Sequence, residues 1–399
     1  MQNDPSVVAC SDVLVPFFYL RFASWAARRP LAAGQLWNWI PALSNPEWFS
    51  SEVAQQAHYH PESVFVCFNA ELPNITVYST GGTITAAADS RFETTNYDSA
   101  ILSISTVIEE NPTICETANI RVVELAREDS INIKLEAFKL WSQIIQDDLN
   151  DPFTQGAVFA TGTDRLAEFA YFLAMTVKCD KQLVATGAIR PATAYNTDGP
   201  KNILDSVLAV VYAIGHSASN NHGVLVIFSG RILPPRYTVK NSFDQENAFQ
   251  TICTGDVGIV SEGKVQFYFA SSQLSNQPYF DVRKIAPDTK FPRVEIVNAD
   301  PGRTITIKTG MAGIFAIGFG AGYLPQSIID DIIKSLNGTV IPVLVGSHVP
   351  DRVGVHRMDF GIASRCIPPS NALAQFELAL WMGLPLQDIE ASFEVGGDY

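Results

Sequence analysis

The 399-residue chain has little positive charge and no long apolar run, and each shortage excludes a class of protein. It contains 27 Lys and Arg against 41 Asp and Glu, which gives a net charge of −14. Nucleic-acid-binding surfaces are usually basic and anionic membranes repel acidic proteins, so we expect no nucleic-acid partner and no membrane partner. No run reaches the roughly 18 apolar residues that a membrane-spanning helix needs.

The sequence also lacks closely paired cysteines. None of its six cysteines forms a C-x-x-C pair, which argues against a zinc site or a redox motif. Their scatter fits free thiols, or one or two disulfides that the sequence alone cannot assign. We interpret them as small buried hydrophobic side chains.

Residues 1–70 show no sustained periodicity, and we predict that they form a poorly ordered N-terminal extension outside the fold. The stretch 13–46 contains no acidic residue but carries Arg21, Arg28 and Arg29, which weakly resembles an organelle transit segment. An unstructured extension and a misplaced start codon are the alternatives. The polarity of the first residues is wrong for a secretory signal, and the compartment stays unassigned.

From residue 71 onward, short apolar runs alternate with helical periodicity, a pattern typical of α/β proteins. The runs predict strands at Ile75–Tyr78, Arg121–Leu125, Ala157–Ala160, Gln182–Ala185 and Val224–Phe228. Helical spacing predicts helices over 135–149, 164–173 and 200–213. We therefore predict a large N-terminal doubly wound domain with a parallel-rich sheet over residues 71–286.

A smaller C-terminal α/β domain is predicted over residues 293–399, after a break near Pro287 to Pro292. Residues 231–291 are polar and aromatic and indicate hairpins and a linker. The predicted elements of the second domain are strands at Arg293–Val297, Thr304–Ile307, Ile314–Ile317 and Val340–Val345, and helices at Ile328–Leu336 and Ala372–Trp381.

Two threonine-glycine stretches follow predicted strands and could carry chemistry. They are Thr80-Gly81-Gly82-Thr83 after the first strand and Thr161-Gly162-Thr163-Asp164 after the third. Open α/β sheets bind their ligands at the carboxyl ends of the strands. Two hydroxyls, flexible glycine backbone and a carboxylate at that edge suit acyl transfer by a hydroxyl nucleophile. Each stretch alone could equally be an ordinary turn or a helix cap.

Three further segments have weaker signals. Lys240 ends a polar strand-like segment and could move a hydroxyl proton, although taken alone it is most simply a surface lysine. Arg190 follows a buried strand, and we interpret it as part of a structural loop. The stretch 318–322 resembles a dinucleotide-binding loop, but the required acidic residue is missing, so an oxidoreductase is disfavoured and a tight turn is preferred.

Taken in series, four blocks resemble the bacterial-type L-asparaginase (asparaginase/glutaminase) family. The blocks are Thr80–Ile84, Gly162–Asp164, Gly187–Arg190 extended through 198–200, and Val239–Lys240. The resemblance runs from about residue 72 to residue 399 and is strongest through residue 233. It implies an L-asparagine amidohydrolase with a threonine acyl-enzyme and glutaminase as a possible side activity. It also implies a homo-oligomer built as a dimer of dimers, secretion in some members, and no metal or organic cofactor.

The resemblance also implies roles for individual residues. Thr83 matches the primary nucleophile, and Tyr97 matches the tyrosine on a mobile loop that assists it. Thr163 matches the second essential threonine, with Asp164 and Lys240 as its partners. The counterpart of Asp164 also binds the α-ammonium group of the substrate.

One departure from the family pattern concerns the substrate pocket. The block Ala126-Arg127-Glu128-Asp129 stands where the family has Gly-Ser-Gln/Glu-Asp. Glu128 is within the family range and could bind the α-ammonium group. Arg127 replaces a small serine, and it could either pair with the substrate α-carboxylate in a bidentate manner or fill the pocket.

The other departures lie elsewhere in the chain. Thr161 replaces a histidine, and the loop 349–359 offers only Asp351 and Asp359 where the family takes a glutamate from a neighbouring subunit. Cys179 matches one half of a disulfide of secreted members, but positions 147–151 lack its partner. These departures leave a second hypothesis open, a catalytically degenerate amino-acid-binding protein on the same fold.

Overall fold

The structure, a computed structural model, describes residues 63–178, 180–216, 222–269, 277–302, 304, 308–336, 338, 340–354 and 361–394. Of the predictions above, the strand at 304–307 lies outside the described residues except for Thr304. Cys10, Cys179 and Asp359 also lie outside them.

A nine-stranded sheet dominates the described part of the chain. Its strands, in spatial order, are β1 (Ser63–Cys67), β3 (Asn119–Glu124), β2 (Asn74–Ser79), β4 (Gly156–Ala160), β5 (Leu183–Thr186), β6 (Val224–Phe228), β7 (Arg231–Leu233), β10 (Gly258–Ser261) and β11 (Lys264–Phe267). The five strands from β3 to β6 are parallel, and the pairs at both ends are antiparallel. This confirms the predicted parallel-rich sheet.

Helices cover both faces of this sheet, because the buried side chains of its strands alternate between two apolar clusters. The helices are α1 (Ile104–Glu109), α2 (Thr113–Thr117), α3 (Leu135–Asn150), α4 (Leu166–Thr176) and α5 (Gly199–Gly215). Phe138 of α3 and Phe169 of α4 pack on one face, and Ile203 and Val207 of α5 pack on the other. The doubly wound arrangement is therefore confirmed.

A second sheet has four parallel strands, in the order β12 (Val294–Asn298), β13 (Gly313–Gly318), β14 (Val343–Ser347) and β15 (Ile362–Ala363). Its helices are α6 (Gln326–Leu336), α7 (Pro369–Trp381) and α8 (Leu386–Glu394). β14 begins three residues later than predicted, directly after Pro342, which has no N–H to donate to a ladder. Phe376 of α7 belongs to the same apolar core as Phe138, so the domain boundary near residue 290 stays a prediction.

The region 231–291 contains the predicted hairpins. β8 (Thr238–Lys240) pairs antiparallel with β9 (Phe249–Thr251) as a separate two-stranded sheet. β10 and β11 form a hairpin whose turn residues, Glu262 and Gly263, have φ values of 52° and 71°. A two-residue turn with two positive φ values matches the right-handed twist of the strands.

Two interpretations of the sequence need correction. Residues 63–67 fall within the predicted extension, but as β1 they pair antiparallel with β3 at the edge of the large sheet. Four of the cysteines are not free hydrophobic side chains, because Cys67 is bonded to Cys115 and Cys253 to Cys366. Those partners are 48 and 113 residues apart, and only the folded chain brings them together.

None of the helices among the described residues is long and apolar enough to cross a membrane.

Candidate active site

The first threonine-glycine turn leaves the carboxyl end of β2. Gly81 and Gly82 have φ values of 92° and 80°, which residues with a side chain rarely adopt. A Cβ atom on Gly81 would lie 2.8 Å from the backbone nitrogen of Glu128, and one on Gly82 would overlap the backbone of Gly162. The glycines therefore let three loops meet, and they place Thr83 at the start of a short 3-10 turn, 7% exposed.

The second turn leaves the adjacent strand β4 and packs directly on the first. Thr80 donates its backbone N–H to the Ala160 carbonyl at 3.0 Å, and the Thr80 and Thr161 hydroxyls are 2.6 Å apart. Thr161 is fully buried by this pairing, so a threonine can occupy the place of the family histidine without an unpaired polar group. The following helix α4 begins at Leu166, two residues later than predicted.

Lys240 is not a solvated surface lysine. It is the last residue of β8, and its Nζ donates to Thr163 Oγ1 at 2.9 Å and to Asp164 Oδ1 at 2.7 Å. Thr163 is 5% exposed, whereas the Asp164 side chain is 53% exposed. The structure thus brings a hydroxyl, an ammonium and an accessible carboxylate together, as the four sequence blocks predict.

Tyr97 lies beside the first turn. Its hydroxyl is 2.9 Å from Thr83 Oγ1, although the two residues are 14 positions apart. The loop between them is closed at its base by paired backbone hydrogen bonds between Ala87 and Asp98. This closure explains how a residue on a surface loop reaches the hydroxyl of Thr83.

The loop after β3 forms the third side of the site. The Glu128 backbone N–H donates to the Thr80 carbonyl at 3.0 Å, which fixes the loop against the first turn. The Arg127 side chain is 54% exposed, and its Nε donates to Glu124 Oε2 at 2.6 Å. The same Glu124 carboxylate accepts the backbone N–H of Ile104 at the start of α1. Arg127 is therefore held at the rim by a partner of its own.

The loop after β5 is built around Asp198. Its carboxylate accepts the backbone N–H groups of Ile189 and Arg190 at 3.0 and 2.9 Å. Burial raises the pKa of Asp198, and these two hydrogen bonds oppose that increase. Arg190 is paired with Glu246, on the chain between β8 and β9. The predicted structural role of this loop fits these contacts, which tie it to the segment that follows Lys240.

The hydrogen bonds form two short chains on adjacent turns, Tyr97 with Thr83 and Lys240 with Thr163 and Asp164. Two hydroxyls of this kind, one paired with a phenol and one with an ammonium, suit nucleophilic attack and proton transfer. Among the described residues, no cluster of three or more His, Cys, Asp or Glu side chains could hold a metal ion. The contacts of α7 and of the Cys253–Cys366 disulfide with the Lys240 segment leave no sign in the sequence, because they join residues more than 100 positions apart.

Comparison with known proteins gives the same picture. The family model described as "Asparaginase, N-terminal" matches residues 74–273. The chain is 31% identical over 336 residues to L-asparaginase 2 of Escherichia coli, covering 81% of this chain and 93% of the relative. It is 29% identical over 341 residues to the probable L-asparaginase 1 of Schizosaccharomyces pombe, covering 84% of this chain and 92% of the relative.

A solved structure agrees with the fold as well. The crystal structure of the probable cytoplasmic L-asparaginase from Campylobacter jejuni superposes with a TM-score of 0.71 at 30% identity, covering 82% of this chain and 100% of that one. The match extends well beyond the first sheet, which confirms the predicted α/β fold class. Since the family model spans half the chain and a relative of 31% identity is covered almost completely, the chain belongs to the asparaginase family.

Proposed function

We propose that the protein hydrolyses L-asparagine to L-aspartate and ammonia through an acyl-enzyme on Thr83. The observation that carries the proposal is the pair of hydrogen-bond chains on the two touching turns, Tyr97 with Thr83 and Lys240 with Thr163 and Asp164. The names of its relatives, which are L-asparaginases, support the substrate.

In the first step, Thr83 Oγ1 attacks the side-chain amide carbon of asparagine. The Tyr97 oxygen, at 2.9 Å, accepts the Thr83 proton as Tyr97 gives its own phenolic proton to the leaving nitrogen. The C–N bond breaks, ammonia departs, and an ester joins Thr83 to the aspartyl group. In the second step, water attacks the ester carbon, the ester bond breaks, and the Thr83 hydroxyl is restored.

Thr163 and Lys240 act on the proton and charge transfers. The Lys240 ammonium lies 2.9 Å from Thr163 Oγ1, so it stabilises negative charge that develops on that oxygen. Both side chains are largely shielded from water, which strengthens this interaction. Thr163 is therefore placed to take a proton from the attacking water, and the departing Thr83 oxygen gains a proton to become a hydroxyl again.

The substrate is recognised by its charged α-groups. The exposed carboxylate of Asp164 and that of Glu128 bind the α-ammonium group. Arg127, which pairs with Glu124 in the structure, pairs with the α-carboxylate when the substrate is bound.

The chain acts as a homo-oligomer, a dimer of dimers, which light scattering on the full chain would test.

The test is ammonia release from L-asparagine and L-glutamine by the full chain, with Thr83→Ala beside it. Thr176→Ala is the matched control, a buried threonine of α4 whose hydroxyl bonds only its own helix, to the Phe172 carbonyl. We expect Thr83→Ala to lower kcat by at least about 10³-fold and the control to stay within about threefold. Equal activity in wild type and Thr83→Ala would refute the threonine mechanism.

A second candidate function rests on Arg127. The resemblance to the family implies a small serine at this position, whereas here the Arg127 guanidinium is held by Glu124. With this change in the pocket, the protein could bind an amino acid without hydrolysing it. Calorimetry with L-aspartate distinguishes the two functions. Binding in a folded wild type that releases no ammonia would support the degenerate binding protein, and Thr83-dependent turnover would exclude it.

A further inference from the structure

The segment that carries Lys240 is held from the far end of the chain. Asn371 of α7 is fully buried, and its Nδ2 lies 3.0 Å from the Pro235 carbonyl, 3.4 Å from that of Arg236 and 3.2 Å from that of Thr238. These carbonyls belong to the 3-10 turn that leads into β8 and to the first residue of β8. The Asn371 side chain therefore provides hydrogen-bond contacts to three backbone carbonyls of the segment that leads to Lys240.

A second set of contacts ties the same turn to both sides of the molecule. Arg236 is 1% exposed, and its guanidinium donates to the Tyr171 hydroxyl and to the Phe393 carbonyl, each at 3.2 Å. The Tyr171 hydroxyl in turn donates to Gln375 of α7 at 2.5 Å. Tyr171 lies on α4, the helix that follows Thr163 and Asp164, so this network links the two halves of the Lys240–Thr163 pair.

The other strand of the hairpin is fixed covalently to the same region. Cys253 follows β9, and its disulfide partner Cys366 lies between β15 and α7. The Ile252 N–H also donates to the Tyr237 carbonyl at 3.0 Å, which joins the disulfide end of the hairpin to the turn that Asn371 holds. The backbone on both sides of Lys240 is therefore attached to the C-terminal sheet and its helices.

From these contacts we infer that Asn371 is a positioning residue for catalysis, which sets where Lys240 meets Thr163. Asn371 does not touch the reacting groups, and it acts through the backbone of residues 235–238. A proton-transfer group must be held within a few tenths of an ångström of its partner, and a shift of about 1 Å can cost about 100-fold in rate. The inference rests on the proposed function, because its main readout is asparagine hydrolysis.

The test is Asn371→Leu, which keeps the number and branching of the side-chain heavy atoms but removes the amide donor from all three carbonyls. Among the described residues, only the Pro235 carbonyl keeps a further donor, the Thr238 N–H. We expect kcat for L-asparagine to fall about 10- to 100-fold and KM to change less, by up to about threefold, because Asp164 loses its Lys240 partner whereas the Glu128 loop keeps its hydrogen bond to Thr80. In a Lys240→Met background, the same substitution should change kcat by less than about twofold, because the group it positions is already absent. An equal loss in both backgrounds would show a general structural effect and overturn the inference.

Asn119→Leu is the matched control. Asn119 is also a buried asparagine whose Nδ2 donates to two oxygens, of Leu72 and Asn74, both at 2.8 Å. It begins β3 at the amino-terminal edge of the sheet, roughly 20 Å from the strand ends that carry the site. It should lower stability in a similar way and leave kcat within about twofold. A kcat loss equal to that of Asn371→Leu would overturn the inference.

Two further measurements keep the inference testable if the first variant or the proposed function fails. Asn371→Ser is the substitute if Asn371→Leu does not fold, with the same expectations. If the wild type releases no ammonia, the proposed function fails, and a crystal structure of the variant decides the positioning separately. The Lys240 Nζ to Thr163 Oγ1 distance, 2.9 Å here, should then exceed hydrogen-bond range, and an unchanged distance would overturn the inference.

Discussion

The two threonine turns and the Lys240 hairpin build opposite sides of one site, and they are supported in different ways. The turns are positioned locally, because each leaves the end of a buried parallel strand and is shaped by glycine. The hairpin has only three residues in each strand and lies outside both larger sheets. Its position depends on α7, α8 and a disulfide that come more than 100 residues later.

This difference in support indicates that substitutions on the two sides should affect stability, kcat and KM differently. A change in the turns distorts the strand ends themselves, so stability and activity fall together. A change in the supports of the hairpin removes contacts from a small element, so kcat is more sensitive than KM. The predictions below test this contrast in order of decreasing effect.

Gly82→Ala should have the largest effect. The new Cβ would overlap the backbone of Gly162, and the φ of 80° is itself unfavourable for alanine. We expect the free energy of unfolding to fall by about 3 kcal/mol or more and ammonia release to be lost. Gly215→Ala is the control, because no described atom outside its chain neighbours and its own helix backbone lies within 4 Å of its Cβ position, and it should change stability by less than about 1 kcal/mol. Normal activity in Gly82→Ala would show that the close backbone contact between Gly82 and Gly162 is not required.

Removing the disulfides one at a time tests the hairpin side. One double variant, Cys253→Ser with Cys366→Ser, removes the disulfide beside the hairpin, and a second, Cys67→Ser with Cys115→Ser, removes the other disulfide. Each should lower the free energy of unfolding by about 2–4 kcal/mol in chemical denaturation, since each releases a long loop. Only the first pair should also lower kcat, because only Cys253 adjoins the hairpin of Lys240. Equal kcat in the two double variants would contradict the difference between the two sides.

Glu377→Gln tests the contact between α4 and α7, which joins the two sides. Burial, then the nearby Glu168 carboxylate, raises the pKa of Glu377 from 4.5 to about 8, while Arg165 opposes this increase and Glu136 adds to it. The folded protein therefore keeps a proton that the unfolded chain loses, so wild-type stability falls as pH rises from 4.5 to 8.

The glutamine variant should lack this pH-dependent loss. We expect it to be about 4–5 kcal/mol more stable than wild type at pH 9 and nearly equal to it at pH 4.5, measured by denaturant unfolding at both values. Glu390→Gln, the same change at an exposed position of α8, is the matched control. Parallel stability curves for wild type and Glu377→Gln would contradict the assignment.

Arg127→Ser should have the smallest effect on the fold and a selective effect on the substrate. Arg127 is the exposed member of its ion pair, and Glu124 keeps its hydrogen bonds from Ser103 and Ile104, so the loss of the pair should change stability by no more than about 1 kcal/mol. If Arg127 binds the α-carboxylate, KM for L-asparagine should rise about five- to tenfold with kcat nearly unchanged. A lower KM would show instead that Arg127 narrows the pocket.

Much of the fold could be predicted from the sequence, because buried parallel strands are short continuous apolar runs. The five central strands and the helices α3, α4 and α5 have such local signals. β1 was missed, since Ser63–Cys67 is a half-exposed edge strand after a long segment without periodicity. The disulfides could not be assigned, because cysteine pairing depends on which loops the folded chain brings together.

For the site, the predictable part was again the local part. Thr83, Thr163 and Asp164 follow strands directly, and Lys240 was identified only by its place in a series of family blocks. The structure brings these residues together with Tyr97, although their catalytic roles stay proposals. The ion pair that holds Arg127 and the Asn371 contacts leave no pattern in the sequence, because neither depends on spacing or periodicity.

The crossing of Gly82 and Gly162 limits how the site can change. At these two glycines backbone lies against backbone, so neither position has a side chain that could be trimmed or enlarged. The separation of Thr83 and Thr163 is therefore fixed by the path of the main chain. Under the proposed function, we expect substrate range to change at the rim, through the loops of Tyr97 and Arg127, while the centre keeps one geometry.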